Sequence, residues 1–335
     1  MARVSLPKQM RKVADRDLLQ RIEAGLEKVE DALLHATEHT DPIAKVTARH
    51  LVEAGGKRIR PVLVLLTAQL GDASEPSVID AAVVVELTHL ATLYHDDVMD
   101  EAPTRRGVAT AHQVWGNSVA ILTGDLLFAR ASQIVSRLGE KALTLQADTF
   151  ERLCLGQLHE TVGPAEGEDA LAHYISVLAD KTGSLIAASA QLGAMFADAP
   201  DEVLQPLTKY GEKIGVAFQL IDDVIDIAEA GDSGKTPGTD LRAGVPTLPM
   251  LLLREQAKTD AASAELVAFI DSGLEDDAKL HEAVTRLRNH EVAELAYLEA
   301  KRWADEAVAE IAYLPESAVK AALRNFAEAV VDRSN

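Results

Sequence analysis

An acidic signature that occurs twice, far apart in the chain, is the feature that most constrains how this sequence can fold. The first copy is DDVMD at residues 96–100 and the second is DDVID at residues 222–226. Residues four apart lie on one face of a helix, so each copy directs at least two carboxylates the same way out of an apolar segment. Carboxylates withdrawn from water repel one another and resist desolvation. Each copy therefore predicts a positive partner, and Mg²⁺ is the simplest one, because it is commonly shared between carboxylates and substrate phosphates.

Composition narrows the class of protein. The chain has 335 residues, of which 47% are hydrophobic, enough for a large core. A formal net charge of −20 disfavours a nucleic-acid partner, because phosphate backbones require basic faces. The single cysteine, Cys154, excludes a disulfide within the chain, and we expect its side chain to be buried as a small apolar group. The first residues lack the apolar core of a secretory signal, so we expect a soluble, cytoplasmic protein.

Helix-favouring residues dominate, and the period-two pattern of strands is rare, so the sequence predicts an all-α fold. We interpret residues 1–335 as a single domain, with 1–35 as a peripheral N-terminal helix or tail. Glycine and proline predict loops at 55–56, 103–107, 163–167 and 231–244. Long helices are predicted over 77–99, 119–138, 142–157 and 207–230, and a further helix is predicted to begin near Pro246 and Pro249.

The few basic residues cluster beside glycines and close to the acidic signatures. The clusters are GGKRIRP at 55–61, RRG at 105–107, KTG at 181–183 and GKTPG at 234–238. Glycine permits close approach of a ligand, and Lys and Arg bind phosphate oxygens. Any one cluster is compatible with a solvated surface loop. All four together, with two acidic helix ends, predict a pocket for diphosphate groups bridged by metal. Surface salt bridges are the alternative, disfavoured because acidic groups are unfavourable at a helix C-terminus.

This ordered set of motifs resembles the trans-isoprenyl diphosphate synthases, also called polyprenyl synthetases. The resemblance covers roughly residues 45–255 and, more loosely, the rest of the chain. It implies an all-α helical bundle around a central cavity, usually assembled as a homodimer. It also implies head-to-tail condensation of isopentenyl diphosphate with an allylic diphosphate. The matching motifs, in chain order, are 55–61, His89, 96–100 with 105–107, Gly156-Gln157, Lys181-Thr182, 218–223 and Gly234-Lys235.

The resemblance also assigns roles to individual residues. The direct ligands of about three Mg²⁺ ions would be Asp96, Asp100 and Asp222. The aspartates acting through water, or orienting those ligands, would be Asp97, Asp223 and Asp226. The allylic diphosphate would be held by Arg105, Lys181 and Lys235. Isopentenyl diphosphate would be held by Lys57, Arg60, His89 and Arg106. The residues facing the reacting carbons would be Thr182 and Gln219.

The implied mechanism follows from charge. A diphosphate leaves when its developing negative charge is stabilised, which metal ions and basic side chains can do. The allylic cation that remains must be kept from water, so we expect an apolar, closed cavity below the metal site. The departing diphosphate is the expected proton acceptor, and no protein general base is predicted. His95, which adjoins Asp96, is interpreted as a hydrogen-bonding partner that orients its neighbours.

Product length is predicted from the helix before the first signature. In this family, bulk one turn upstream of the first aspartate stops chain growth. Here that turn holds Ala91 and Thr92, and the turn before it holds Leu87 and Thr88. Small side chains predict an open tunnel and a product of about C30 or longer, unless Ala91 merely packs against another helix. Release of so apolar a product is compatible with transient contact with a membrane surface.

One departure from the family pattern and three alternative functions stay open. Val245 stands where many relatives carry lysine, so one diphosphate contact is either missing or supplied by Arg242. A short-chain farnesyl or geranylgeranyl diphosphate synthase is the nearest alternative. A terpene cyclase is disfavoured by the loop at 55–61, which supplies a second diphosphate site. A non-catalytic partner subunit is disfavoured by the intact acidic signatures.

Overall fold

The computed structural model describes residues 15–228 and 237–332, and these residues are overwhelmingly helical. The predicted all-α fold is confirmed. The described residues form two compact units whose segments interleave along the chain. Unit 1 comprises 15–151, 185–211 and 313–325, and unit 2 comprises 152–184, 212–228, 237–312 and 326–332. The single-domain interpretation stays a prediction.

The elements can be given in chain order. The helices before the acidic signature and through it are α1 (Arg16–Ala36), α2 (Pro42–Glu53), α3 (Ile59–Thr67) and α4 (Pro76–Met99). Two short strands, β1 (Thr104–Arg105) and β2 (Val108–Ala109), then pair antiparallel. The helices that follow are α5 (Ala111–Trp115), α6 (Asn117–Leu138), α7 (Glu140–Val162), α8 (Ala170–Leu178), α9 (Ser184–Phe196) and α10 (Leu204–Asp226). The remaining helices are α11 (Thr239–Ala243), α12 (Leu248–Gln256), α13 (Ala261–Asp271), α14 (Asp277–Arg288), α15 (Glu291–Glu310) and α16 (Ala318–Val331).

Unit 1 is organised around α4, which is buried along most of its length. Pro76 begins the helix, where its missing N–H costs no intrahelical hydrogen bond. The sequence of α4 is apolar on several faces, so neighbouring helices cover it from more than one side. The helix α6 approaches closely at Gly124, where a Cβ would lie 2.4 Å from His95 Nε2. This packing holds the carboxyl end of α4, with the first acidic signature, in a fixed place within unit 1.

The N-terminal segment and α9 complete the core of unit 1. The predicted N-terminal helix or tail is a packed helix, α1, while residues 1–14 lie outside the described residues. The backbone of α9 touches α3 at Gly193, where a Cβ would lie 2.1 Å from the carbonyl oxygen of Val64. The apolar residues that α1 buries are Leu18, Ile22, Leu26, Val29 and Leu33.

Unit 2 has a separate apolar core, contributed by α11 to α15 and the end of α10. Gly238 precedes α11 with a φ of +79°, a left-handed conformation that favours glycine. Pro249 lies in the first turn of α12, as the sequence predicts. The fully or nearly buried members of this core are Ile227, Leu241, Met250, Leu253, Leu266, Ile270, Leu280, Ala283, Val284, Leu287 and Val292.

The long helices are predicted well, and three local features are not. Helices α4, α6, α7 and α10 begin and end within a few residues of the predicted bounds, apart from 229–230, which lie outside the described residues. The strands β1 and β2 were not expected, because two residues are too short to show an alternating pattern. A π-helical turn, Ala179–Gly183, was also not expected. The predicted burial of Cys154 is wrong, because α7 turns this residue to the surface.

Two helices are apolar and long enough to cross a membrane when judged by length and composition alone. They are α4, which is mostly buried inside the protein, and α6, which is buried over a smaller part of its length. The core helix of a soluble protein passes the same test, so these two helices are weak evidence for a membrane protein.

Candidate functional site

The carboxyl end of α4 carries the first acidic signature, and its three aspartates differ in burial. Asp97 is only 1% exposed, whereas Asp96 is half-buried and Asp100, at the C-cap, is exposed. From β1, Arg105 Nε donates to Asp97 Oδ1 at 2.7 Å. Burial raises the pKa of Asp97, and the hydrogen bond and charge of Arg105 oppose that rise. The signature therefore uses Asp97 internally and leaves Asp96 and Asp100, four residues apart, accessible to a ligand.

The loop between α2 and α3 uses one of its cations as an internal ion-pair partner. Arg58 adopts a left-handed conformation, with φ +48°, and its side chain is 0% exposed. Its guanidinium donates to Glu30 at 2.5 Å, to Glu86 at 2.7 Å and to the carbonyl of Val52 at 3.1 Å. These contacts occupy Arg58 within unit 1. Lys57, the preceding residue, is exposed.

Arg106 joins the same loop to the segment after the first signature. It also adopts a left-handed conformation, with φ +54°. Its guanidinium donates to the carbonyl of Leu51 at 3.0 Å and to the carbonyl of Gly55. Gly56 makes room for it, because a Cβ at that position would lie 2.8 Å from the central carbon of the guanidinium. The two predicted basic clusters of unit 1 therefore form one group.

Arg60 and His89 complete this group of basic side chains. The pKa of Arg60 is lowered to about 10, first by burial and then by the charge of Arg106, against the opposing charge of Glu86. Its buried Nε makes no hydrogen bond within residues 15–228 and 237–332. Burial lowers the pKa of His89 well below its ordinary value, and the charges of Arg60 and Arg106 act in the same direction. Buried positive charge of this kind favours binding of an anion.

The residues of α4 upstream of the first signature become inaccessible within two turns. Thr92 is half-buried, and its hydroxyl donates to the carbonyl of His89 at 2.8 Å. Leu87, Thr88 and Ala91 are fully buried. The helix face that leads away from Asp96 is therefore open at the level of Thr92 and closed at the level of Thr88.

In unit 2, the carboxyl end of α10 carries the second signature, and its middle carboxylate anchors two other elements. Asp223 Oδ2 accepts the N–H of Leu248, in the first turn of α12, at 2.8 Å. It also accepts the hydroxyl of Tyr174 from α8. Burial raises the pKa of Asp223 to about 7, although both hydrogen bonds oppose that rise. The nearby charges of Asp240 and Asp222 add to the rise.

The last carboxylate of the second signature holds the segment that leads into α11. Asp226 Oδ2 accepts the N–H of Asp240 at 3.3 Å, and the Asp226 carbonyl accepts the N–H of Gly238 at 2.7 Å. Asp222, the first member, is half-buried on α10. All three aspartates of the second signature are half-buried, and Asp223 and Asp226 hold other elements of unit 2, whereas in the first signature the last aspartate, Asp100, is exposed.

Lys181 lies in the π-helical turn Ala179–Gly183, which connects α8 to α9. Turns of this kind occur frequently at functional sites. Two glycines let other helices of unit 2 approach the turn closely. A Cβ at Gly156 of α7 would lie 2.7 Å from the backbone nitrogen of Lys181, and a Cβ at Gly215 of α10 would lie 2.5 Å from Gly183 Cα.

Ion pairs also connect the π-helical turn to a neighbouring helix, α7. Lys181 Nζ lies 2.5 Å from Glu160 Oε2 on α7. Arg152, also on α7, donates to Asp180 in the turn at 2.7 Å and to Glu212 on α10 at 2.7 Å. The turn is thereby fixed by α7 and α10, and the lysine ammonium is held at its edge.

The remaining predicted site residues differ in burial and in hydrogen bonding. Thr182 and Gln219 are half-buried in unit 2, and Lys235 lies outside the described residues. His95 Nε2 lies 3.1 Å from the carbonyl of Ile121 and 3.3 Å from Asp125 Oδ1, contacts suited to a positioning role.

The loop that departs from the family pattern is well ordered by hydrogen bonds. Val245 is 43% exposed, and its N–H donates to the carbonyl of Asp240 at 3.0 Å. Arg242 pairs with Asp277 on α14 at 2.5 Å, with both side chains largely exposed to solvent. An anion reaching Arg242 would have to compete with that exposed pair, which contributes little stability.

The donor set fits a magnesium ion that arrives with an anionic ligand. Among the residues that the structure describes, no group of three or more His, Cys, Asp or Glu side chains is arranged to hold a metal ion. The accessible donors come in ones and twos, as Asp96 and Asp100 in unit 1 and Asp222 in unit 2. Mg²⁺ is usually bound in this way, with waters and substrate phosphates completing its coordination shell.

Three residues that organise these sites were not predicted from the sequence. Glu86 is an isolated acid in the apolar run of α4, a pattern that could have indicated a buried ion pair. Arg152 and Tyr174 carry no such signal, because their partners are brought near only by the packing of other helices.

Comparisons by family model, by sequence and by structure all match this chain to the same kind of protein. The polyprenyl synthetase family model matches residues 41–287. The chain is 43% identical over 314 residues to a nonaprenyl diphosphate synthase of Mycobacterium tuberculosis, covering 93% of each. It is similar, with a TM-score of 0.85 and 43% identity, to a geranylgeranyl pyrophosphate synthase of Corynebacterium glutamicum complexed with calcium and isoprenyl diphosphate, covering 96% of this chain and 99% of that one. It is also similar to a decaprenyl diphosphate synthase of Rhodobacter capsulatus, with a TM-score of 0.84, 31% identity and coverage of 95% and 99%.

The buried pairing of Arg58 leads to a prediction about stability. Arg58→Met should lower the free energy of unfolding by about 3–5 kcal/mol, because removing one partner leaves Glu86 buried and unpaired. Lys57→Met is the matched control. It changes an exposed side chain in the same loop and should alter stability by no more than about 0.5 kcal/mol. Urea denaturation of both variants checks this, and equal losses would contradict the assignment of Arg58 as the internal partner.

The raised pKa of Asp223 leads to a prediction about pH. Folding favours the protonated carboxyl, so the contribution of Asp223 to stability is complete below about pH 4 and is lost as pH rises through about 7. In a metal-free buffer, the melting temperature of Asp223→Asn relative to wild type should therefore rise between about pH 5 and pH 8. Across this pH range the gain is bounded by about 3 kcal/mol, since each tenfold change in proton affinity is worth about 1.4 kcal/mol.

Asp31→Asn, an exposed change on α1, provides the control for that pH series. Its offset from wild type should stay constant across the same range. A constant offset for Asp223→Asn as well would show that Asp223 does not titrate in this window.

Proposed function

Because this chain belongs to the polyprenyl synthetase family and is a prenyltransferase, we propose that it condenses isopentenyl diphosphate head-to-tail with an allylic diphosphate. The product would be an all-trans polyprenyl diphosphate of about C30 or longer, and the reaction would require Mg²⁺. One observation carries the proposal. Unit 1 places a compact basic group beside a pair of accessible carboxylates, so it can bind one diphosphate directly and another through divalent cations.

The basic group of unit 1 is suited to isopentenyl diphosphate. Arg60 and Arg106 supply guanidinium forks for phosphate oxygens, and Lys57 supplies an exposed charge. Neutral His89 can donate one hydrogen bond without adding to the positive charge. Arg58 takes no part in binding, because Glu30 and Glu86 already neutralise it.

The allylic diphosphate is assigned to the aspartates with Arg105, Lys181 and Lys235. Asp96, Asp100 and Asp222 would hold Mg²⁺, which supplies charge to stabilise the departing diphosphate. Lys181, on a π-helical turn fixed by α7 and α10, is proposed to bind the same diphosphate with its ammonium, which pairs with Glu160 in this structure. Asp97, Asp223 and Asp226 act at a distance, because they hold Arg105, α12 and the start of α11 in place.

The residues of the chain also explain how water is excluded and where the proton goes. On the amino-terminal side of Asp96, the residues of α4 that precede it include Thr92, Ala91 and Leu87. Thr92 is half-buried, and Ala91 and Leu87 are fully buried. An allylic cation formed there is protected from water. Burial, together with the charges of Arg60 and Arg106, lowers the pKa of His89 and keeps it neutral, so it is a poor base. The departing diphosphate is therefore the proposed proton acceptor.

Two observations bear on product length. Ala91 is small and stands where bulk would block a growing chain, and relatives named nonaprenyl and decaprenyl diphosphate synthase favour a long product. A structure named geranylgeranyl pyrophosphate synthase is equally similar in sequence, at 43% identity, and favours the short-chain alternative. The product assay below distinguishes these two outcomes.

A homodimer is also proposed. Large apolar side chains on the outer faces of α6 and α7 are exposed in the single chain, and a second copy of this chain would cover them. The exposed large apolar side chains on the unit 1 parts of these helices are Ile121, Leu122, Leu143 and Phe150.

Replacement of the first aspartate tests the metal-binding role. Asp96→Asn should lower turnover by at least about 100-fold, because the amide is a weaker ligand and lacks the charge that binds Mg²⁺. The assay measures incorporation of radiolabelled isopentenyl diphosphate into farnesyl diphosphate with Mg²⁺. Circular dichroism of the variant serves as the folding control. Near-wild-type turnover in Asp96→Asn would refute the ligand assignment, and no incorporation by wild type would refute the proposed function.

Added bulk on α4 tests the path of the growing chain. Ala91→Phe should shorten the product by about two or more isoprene units, because the ring would fill the space beside Thr92. Chromatography of the dephosphorylated products measures the length. Retained incorporation with a short starter shows that the variant is folded, and an unchanged length would mean that Ala91 only packs against another helix.

A further inference from the structure

One face of α7 is devoted to the π-helical turn Ala179–Gly183. Arg152, Gly156 and Glu160 follow one another at intervals of four residues, so they share that face. Gly156 lets the backbone of Lys181 approach α7 closely, and Glu160 pairs with the Lys181 ammonium at 2.5 Å. Arg152, at the amino end of this face, also contacts the turn but has no part in the proposed binding of substrate.

The guanidinium of Arg152 makes three contacts, and two of them are with the turn. Its Nε donates to Asp180 Oδ1 at 2.7 Å, and one terminal nitrogen donates to the carbonyl of Ala179 at 3.3 Å. The other terminal nitrogen donates to Glu212 on α10 at 2.7 Å. Arg152 therefore connects the turn to α10 as well as to its own helix. Charges that share one guanidinium in this way form a network, which is stronger than an isolated surface pair.

The turn departs from regular helical geometry and needs support from outside. The N–H of Ser184 donates to the carbonyl of Ala179, five residues back, so the carbonyl of Asp180 does not receive the N–H that an α-helix would supply. The hydroxyl of Ser184 donates to that carbonyl instead, at 2.5 Å. Relaxation to an α-helix would rotate the residues on one side of the turn by about 100° about the helix axis. The direction of Lys181 therefore depends on the turn being held.

We propose that Arg152 is a positioning residue for the condensation, because it holds the π-helical turn in the conformation in which Lys181 and Thr182 meet the allylic substrate. This inference rests on the proposed function, in which Lys181 binds the allylic diphosphate. Arg152 acts through the turn and does not itself touch substrate. Its loss frees Asp180 from Glu212 and leaves both carboxylates without this cation. Misplacement of a binding group by about 1 Å is enough to lower a rate about 100-fold.

The first test measures kcat and KM for both substrates in Arg152→Met, with Mg²⁺ and radiolabelled isopentenyl diphosphate. The value of kcat/KM for farnesyl diphosphate should fall by about tenfold or more. The KM for isopentenyl diphosphate should stay within about twofold of wild type, because the basic group of unit 1 is unchanged. Arg152→Lys keeps the charge but lacks the planar fork that spans two carboxylates, so it should recover only part of the loss.

A double-mutant cycle with Lys181 separates positioning from a general effect on the fold. Lys181→Ala removes the side chain that the turn is proposed to place. In that background, Arg152→Met should lower kcat/KM for farnesyl diphosphate by less than about threefold, because the interaction that it disturbs is already absent. A purely structural role would give the same fold-loss in both backgrounds.

Arg254→Met is the matched control. Arg254 makes a comparable, partly exposed ion pair in unit 2, where it donates to both carboxylate oxygens of Asp271 at 2.6 Å and 3.0 Å. That pair joins α12 to α13. Its loss should therefore leave the kinetic constants for both substrates within about twofold of wild type.

Four outcomes would overturn the positioning role. They are wild-type constants in Arg152→Met, full recovery in Arg152→Lys, equal losses with and without the Lys181 side chain, and an equal loss in Arg254→Met. If Arg152→Met does not fold, the cycle is run with Arg152→Lys, whose smaller loss should disappear in the Lys181→Ala background. Failure of the wild-type protein to incorporate isopentenyl diphosphate is a separate result, because it would overturn the proposed function itself.

Discussion

The buried ion triad of Arg58 with Glu30 and Glu86 is the interaction on which the basic half of the site depends. It ties α1, the loop before α3 and the central helix α4 to one guanidinium. A buried charge is tolerated only when it is paired and hydrogen-bonded, and Arg58 meets that condition by also donating to the carbonyl of Val52. The triad fixes the loop between α2 and α3, and Arg106 binds the same loop through the carbonyls of Leu51 and Gly55.

The acidic signatures show the same division between organising and accessible groups. Asp97, Asp223 and Asp226 each hold another element through hydrogen bonds inside their own unit. Asp100 is exposed and Asp96, Asp222, Asp223 and Asp226 are half-buried, so Asp97 is the most completely desolvated of the six. A carboxylate that must bind a cation has to stay accessible, whereas its neighbour in the sequence can be desolvated at a cost in proton affinity. The raised pKa values of Asp97 and Asp223 record that cost.

Close contacts at glycine positions help to hold two further groups, the turn that carries Lys181 and the guanidinium of Arg106. Gly156 and Gly215 let two helices of unit 2 reach the turn that carries Lys181, and Gly56 makes space for Arg106 in unit 1. On α4, Ala91 is fully buried, so the close packing of its neighbours depends on its small side chain.

Much of the fold could be predicted because it depends on local periodicity. The long runs that end in the two signatures had to be helices, and residues four apart had to share a face. The spacing of the aspartates and the glycine-flanked cations likewise indicated diphosphate chemistry before any packing was known. Strands β1 and β2 escaped prediction because two residues carry no period, and the π-helical turn escaped because it depends on neighbouring helices.

The sequence by itself therefore determined the all-α class, the placement of the acidic signatures at helix ends and the family of the chain. Only the tertiary structure decided which charged residues are buried and which partners they bind. Nothing local distinguishes Arg58 from Arg60, or Asp97 from Asp96, because the difference lies in burial and in partners many residues away, such as Glu86 and Tyr174. Desolvation and long-range pairing are properties of the packed chain, and they set the role of each charge.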